Sequence, residues 1–160
     1  MTNAVLSIGS NIGNSRGYLA AAVEELGDCV RAVSSVYRTP PWGGVVQDDF
    51  LNAVLLVGDD EVDDPHEWLR RCQQLEHSAA RARTVRWGPR TLDADVVAVD
   101  DLLVDDDVLT LPHPRAHQRT FVLLPWSEVD PAAELPGFGP ITELLRPLDL
   151  TGISRLGKLR

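Results

Sequence analysis

From Leu92 to Ala98 the apolar residues Leu92, Ala94, Val96 and Ala98 alternate with Asp93, Asp95 and Val97. Successive side chains of a strand point to opposite faces, so this stretch predicts a β-strand whose two faces differ sharply, one apolar and one bearing two carboxylates. A strand of that kind belongs in a sheet that is covered on one side and open to polar contacts on the other. The preceding segments supply its neighbours. Ala4 to Ile8 is a short apolar run ending at Gly9 and reads as a buried strand. Leu19, Ala22, Val23 and Leu26 recur at i, i+3, i+4 and i+7, which marks an amphipathic helix over Tyr18 to Leu26, with Gly27 placed to end it. Val30 to Tyr37 alternates as a half-exposed strand, and Phe50 to Val57 is a β-branched, apolar one. Asp64 opens a second helix, with Pro65 at the first helical position and Glu67 completing a capping box. Trp68, Leu69, Cys72 and Leu75 form its buried face.

The order strand, helix, strand, strand, helix, strand is the split βαβ arrangement of a ferredoxin-like α+β sandwich. The expectation is an antiparallel sheet with helices on one face and C-terminal additions to this βαββαβ core. Those additions comprise a hairpin through Asp105 to Asp107, short helical turns at Pro114 to Arg119 and Pro140 to Leu145, and a loosely held tail from Asp149. With 160 residues, 44% of them apolar, the chain suits one domain spanning residues 1–160.

Composition narrows the function. The net charge of −9 argues against nucleic-acid partners, which require a basic surface. The longest apolar runs, Ala53 to Val57 and Phe121 to Pro125, fall far short of the ~20 residues of a membrane span, so no membrane association is expected. The N-terminus lacks a basic start and an extended apolar stretch, which leads to the expectation of a cytoplasmic protein; a monomer is expected as well. Cys29 and Cys72 lie in apolar-periodic segments and read as buried reduced thiols. Charge is unevenly spread, however. No acid occurs between Glu76 and Asp93, while Arg81, Arg83, Arg86 and Arg90 fall close together, a concentration of cations that suits a small polyanion.

In a strand, Asp93 and Asp95 share one face with Cα atoms roughly 6 to 7 Å apart. Such a pair can hold a hard cation such as magnesium, which takes one or two carboxylates with phosphate and water; it can equally be a solvated edge. The arginines bind phosphate oxygens bidentately, or form a surface salt-bridge cluster. His113, Arg115, His117 and Arg119 make a second basic stretch, in which Pro112 and Pro114 restrict His113. A zinc site would need a third ligand that the histidines do not find nearby. The turn GSNIGN lacks the Lys-Ser/Thr of a P-loop. Thr39, Pro40, Pro41 and Trp42, with Phe50 and Asn52, offer a stiff backbone, aromatic surface and an amide suited to a flat heteroaromatic ring, although Phe50 alone also suits a core.

The chain resembles the 6-hydroxymethyl-7,8-dihydropterin pyrophosphokinase family of folate biosynthesis. The matching segments are IGSNIGN at Ile8 to Asn14, SSVYRTPPWG at Ser34 to Gly43, FLNAV at Phe50 to Val54, RWGPRTLDADV at Arg86 to Val96 and LPHPRAHQRTFVLLPW at Leu111 to Trp126. The resemblance implies the same ferredoxin-like sandwich and diphosphate transfer from ATP to the pterin hydroxymethyl group, with two Mg²⁺ ions on Asp93 and Asp95. By family likeness Asp93, Asp95, Arg81 and Arg90 are catalytic. ATP is met by Gln73, Glu76, Arg81, Arg83, Trp87, Arg90, Val96, Thr110, His113 and Arg119. The pterin is met by Thr39, Pro40, Trp42, Phe50, Asn52, Asp93 and Phe121. Ala94 stands where leucine is common, Phe50 where tyrosine is frequent, and Val108 where some members carry an arginine near the adenine. The rival readings are a metal-dependent phosphohydrolase and a non-enzymatic ferredoxin-like binding module.

Overall fold

In the computed structural model, which describes residues 1–41, 48–81 and 91–159, the first apolar run extends into strand β1 (Thr2–Ser10). The Asn14 side chain then accepts from the Gly17 N–H at 3.1 Å and starts helix α1 (Ser15–Leu26), which ends at Gly27 with φ of 60°. The strand expected over Val30 to Tyr37 is two strands, β2 (Val30–Val33) and β3 (Ser35–Thr39). The break comes from Ser34, whose hydroxyl donates to the Ser35 carbonyl at 2.7 Å and accepts from the Val54 N–H at 2.9 Å, replacing a regular ladder step. Strand β4 (Phe50–Asp59), helix α2 (His66–Arg81) and strand β5 (Asp93–Val99) complete the core. Asp64 caps α2 as the sequence suggests, its carboxylate accepting from the His66 N–H at 2.9 Å.

All strand pairs of the main sheet are antiparallel, in the order β10 (Ser154–Lys158), β3, β4, β1 and β5, with β2 also on β4. The expected hairpin is β6 (Val104–Asp105) with β7 (Thr110–Leu111), closed by Asp106 accepting from the Val108 and Leu109 N–H groups. A 3₁₀ turn (Ala116–Gln118) leads into helix α3 (Thr120–Val129). The hairpin of β8 (Glu134–Leu135) and β9 (Gly139–Pro140), helix α4 (Ile141–Leu145) and strand β10 (Ser154–Lys158) follow. No helix among the described residues is long and apolar enough to cross a membrane.

The structure corrects the expected single helical face. Leu6, Ile8, Leu55 and Val57 pack against Leu19 and Val23 of α1 and Trp68, Cys72 and Leu75 of α2. On the other face, Val5, Val54 and Val97 pack against Val122, Leu123 and Trp126 of α3 and Ile141 of α4. Helix α3 shows no amphipathic stripe because it is apolar on most sides, and Pro125 within it mimics a breaker. A register shift opposite Val5 and Leu6 also moves Ala98 to the α3 side, away from Ala94 and Val96.

The tail is likewise ordered into the sheet. β10 pairs with β3, and Glu128 of α3 fastens both. Its carboxylate accepts from the Ser35 N–H at 3.0 Å, the Tyr37 hydroxyl at 2.7 Å and Lys158 at 2.9 Å, with Arg155 at 3.5 Å. Burial works to raise the Glu128 pKa, yet these donors outweigh it and hold the carboxyl at about 2. Burial and the same contact push Tyr37 up to about 12. The two cysteines are buried and unbridged, as expected.

Candidate active site

Strand β5 runs beside β1 at the edge of the sheet, with Asp93 opposite Gly9 and Asp95 opposite Ser7. Both carboxylates open into one cavity of about 250 Å³ on the α3 side of the sheet, so they share a face as their spacing requires. Glu76 of α2 reaches the rim of the same cavity and accepts from the Ala94 N–H at 3.1 Å, fixing the backbone between the two aspartates. Beyond them, the His113 N–H donates to the Val97 carbonyl at 2.8 Å and ties the histidine segment to the strand.

The opposite wall comes from β3, β4 and α3. Asn52 pairs with Gly9 across the β1–β4 ladder and donates from Nδ2 to Thr39 Oγ1 at 2.6 Å. Both residues are buried, at 4% and 3% exposure, so this bond fixes the amide's orientation where a ring edge would meet it. Gly9 makes room for it, since a Cβ there would meet Asn52 Oδ1 at 2.5 Å. Pro40, Phe50 and Phe121 supply apolar surface around the amide. The Arg119 guanidinium lies 5.3 Å from the Phe121 ring centroid and 3.8 Å from Asp95 Oδ2.

Electrostatics at this corner favours an anion. Burial lowers the Arg119 pKa, with Asp95 opposing the shift, but a guanidinium remains charged near neutrality. Burial also lowers the His113 pKa, and Arg119 and Arg115 add to it more than Asp95 offsets, which favours the neutral imidazole. Among the described residues no group of three or more His, Cys, Asp or Glu side chains is arranged to hold a metal. Two carboxylates with room for phosphate and water are a donor set that fits magnesium and does not fit a zinc site.

Nine residues read from the sequence therefore meet in one cavity: Thr39, Pro40, Phe50, Asn52, Glu76, Asp93, Asp95, Arg119 and Phe121. Gln73 is exposed on α2, Thr110 is exposed on β7, Val96 is buried in the core under α2, and His113 is half-buried; these four do not line it. The side chain of Arg81, and all of Trp42, Arg83, Arg86, Trp87 and Arg90, lie outside the described residues. Val108 is exposed at the tip of the β6–β7 hairpin. Sequence reading missed Ser7 and Gly9 as floor residues. The signal was present in β1, where Ala4, Leu6 and Ile8 stay apolar while the other face changes from Val5 to Ser7 and Gly9.

A family model described as 7,8-dihydro-6-hydroxymethylpterin-pyrophosphokinase (HPPK) matches residues 5–131. This chain belongs to the HPPK family. A Mycobacterium tuberculosis 2-amino-4-hydroxy-6-hydroxymethyldihydropteridine pyrophosphokinase is 48% identical over 161 residues, covering 93% of this chain and 85% of its own length. The Methylorubrum extorquens protein of the same name is 44% identical over 160 residues, covering 98% and 99%. Among solved structures, Plasmodium falciparum HPPK-DHPS superposes with a TM-score of 0.72 at 13% identity, over 91% of this chain. This chain spans 44% of that longer one, and the likeness supports the HPPK fold, the ferredoxin-like α+β sandwich.

Proposed function

We propose that this HPPK-family chain is an ATP-dependent diphosphotransferase of folate biosynthesis, making 6-hydroxymethyl-7,8-dihydropterin diphosphate and AMP from ATP and the hydroxymethyl pterin. The observation that carries this reading is the shared cavity, in which the Asn52–Thr39 pair and two phenylalanines face Asp93 and Asp95. A flat pterin fits between Phe50 and Phe121, and the Asn52 amide, held by Thr39, reads its edge. That placement points the hydroxymethyl group at the two carboxylates.

The pterin hydroxyl oxygen attacks the β-phosphorus, forming a new P–O bond as the bond from the β-phosphorus to the α,β-bridging oxygen breaks and AMP departs; the hydroxyl proton leaves to water. Magnesium, two ions in this reading, would supply charge neutralisation on the triphosphate when held by Asp93 and Asp95. Arg119 adds fixed positive charge beside Asp95, and neutral His113 offers a hydrogen bond to a phosphate oxygen. Arg81 and Arg90 complete the charge stabilisation. Gln73, Arg83, Trp87 and Thr110 hold the nucleotide, with Val96 limited to its backbone because its side chain is buried under α2, whereas Glu76 acts through the Ala94 backbone. The protein contributes chiefly by positioning and by preorganised charge.

Incubation with ATP, magnesium and the hydroxymethyl dihydropterin, read by mass detection, tests this. AMP and the pterin diphosphate in equal amounts are expected. Phosphate or diphosphate released with the pterin unmodified would refute it in favour of a phosphohydrolase.

A further inference from the structure

The two aspartates are not held alike by the strand beside them. Asp93 faces Gly9, which has no side chain to offer, while Asp95 faces Ser7. Ser7 is 5% exposed, yet it lines the cavity that contains both carboxylates. Its hydroxyl has no hydrogen-bond partner among the described residues. Other buried hydroxyls of the sheet are satisfied: Thr2 donates to the Val62 carbonyl at 2.8 Å, Ser34 to the Ser35 carbonyl at 2.7 Å, and Thr39 accepts from Asn52 at 2.6 Å. On the cavity floor, directly opposite Asp95, the Ser7 hydroxyl is placed to meet the carboxylate of the strand it faces.

We propose that Ser7 is a positioning residue for Asp95: its hydroxyl donates to the carboxylate oxygen turned toward β1 and leaves the other oxygen for the divalent cation. This rests on the proposed function, in which Asp95 is a cation ligand. Directly opposed residues of an antiparallel pair have Cβ atoms about 4.5–5.5 Å apart. From that separation a serine Oγ and an aspartate Oδ rotated toward each other come within the ~2.5–3.0 Å of an O–H···O bond. Arg119, at 3.8 Å from Asp95 Oδ2, supplies charge at a distance too long to fix the carboxylate's orientation. A hydrogen bond to the outer side of a metal-binding carboxylate typically changes metal affinity by about 10–100-fold. Since Gly9 cannot do the same for Asp93, the effect falls on one ligand of the pair.

The test compares the wild-type chain with Ser7→Ala and Ser7→Thr. Mn²⁺ binding is followed by electron paramagnetic resonance in the presence of a non-hydrolysable ATP analogue, alongside pterin diphosphate formation across a metal titration. Ser7→Ala is expected to weaken Mn²⁺ binding by about 10-fold or more. It should raise the metal concentration for half-maximal turnover by the same factor, with the pterin KM and the melting temperature held at wild-type values. Ser7→Thr, which keeps the hydroxyl, should recover the affinity. Equal Mn²⁺ affinity in wild type and Ser7→Ala overturns the proposal, as does a loss that threonine shares, which would assign the effect to packing. The Mn²⁺ comparison decides the role of Ser7 whether or not pterin diphosphate forms, so this inference and the proposed activity fail separately.

Discussion

Replacing Glu128 by glutamine should loosen the C-terminal strand by an amount that depends on pH in a specified way. The folded carboxyl sits at about 2, against an ordinary 4.5. At roughly 1.4 kcal/mol per tenfold change in proton affinity, that gap corresponds to about 3 kcal/mol of stabilisation of the charged form. Lys158 and Arg155 are each 57% exposed, so solvent screening reduces the useful part to about 2 kcal/mol. Because the folded pKa is depressed, this stabilisation is fully present above the unfolded value near 4.5 and is lost as pH falls toward 2. Urea unfolding of wild type and Glu128→Gln, at intervals from pH 7 down to pH 2.5, measures it. The expected difference is about 2 kcal/mol at pH 7, which for a chain of this size lowers the melting temperature by about 4–8 °C. It should shrink steadily below pH 4.5, and amide exchange in Ser154–Lys158 should accelerate at neutral pH. A difference that stays constant across the pH range, or one below about 0.5 kcal/mol at pH 7, would show that Glu128 does not act through its charge.

Asp95→Ala should cut turnover by at least ~10²-fold with unfolding unchanged, since a preorganised charge-stabilising group is worth that much; near-normal turnover in steady-state assay would remove Asp95 from the chemistry. Gly9→Ala would drive a Cβ to 2.5 Å from Asn52 Oδ1, displacing the amide, so the pterin KM should rise by about 10-fold or more while ATP binding by calorimetry holds. His66 is bonded to Asp64 at 2.8 Å and Asp106 at 2.6 Å, and those bonds, Asp64 first, raise its pKa above 6.5. The tie from α2 to the β6–β7 hairpin is therefore intact below pH 6.5 and lost as pH rises through the raised value, so exchange protection at Leu109 should fall over that window in wild type and not in His66→Ala.

How much of this was legible beforehand follows from which forces leave a local mark. The parity of Asp93 and Asp95 was readable because strand geometry fixes it at each residue, and the capping of α2 by Asp64 was readable because a cap is a contact between near neighbours in sequence. The order of the core strands followed from the same periodicities. Helix α3 was not readable: a helix buried on most sides loses the polar stripe by which helices are recognised. Strand β10 was hidden for the opposite reason, being an exposed edge strand held through Glu128, 30 residues before Lys158, and through Ser35 at the far end of the chain. The floor of the site fell between these cases. Ser7 and Gly9 are small residues in an otherwise apolar strand, and only the position of α3 gives them meaning. That helix begins at Thr120 and covers Val5, Val54 and Val97, and the sheet beyond it, carrying Ser7, Gly9, Asn52, Asp93 and Asp95, opens into the cavity. The site is thus the part of one sheet face that α3 leaves bare, with Arg119 and Phe121 at the helix's first turn as its border. Its depth is set by where α3 starts, so a sequence reading that missed α3 could name the residues of the site without stating why they are accessible together.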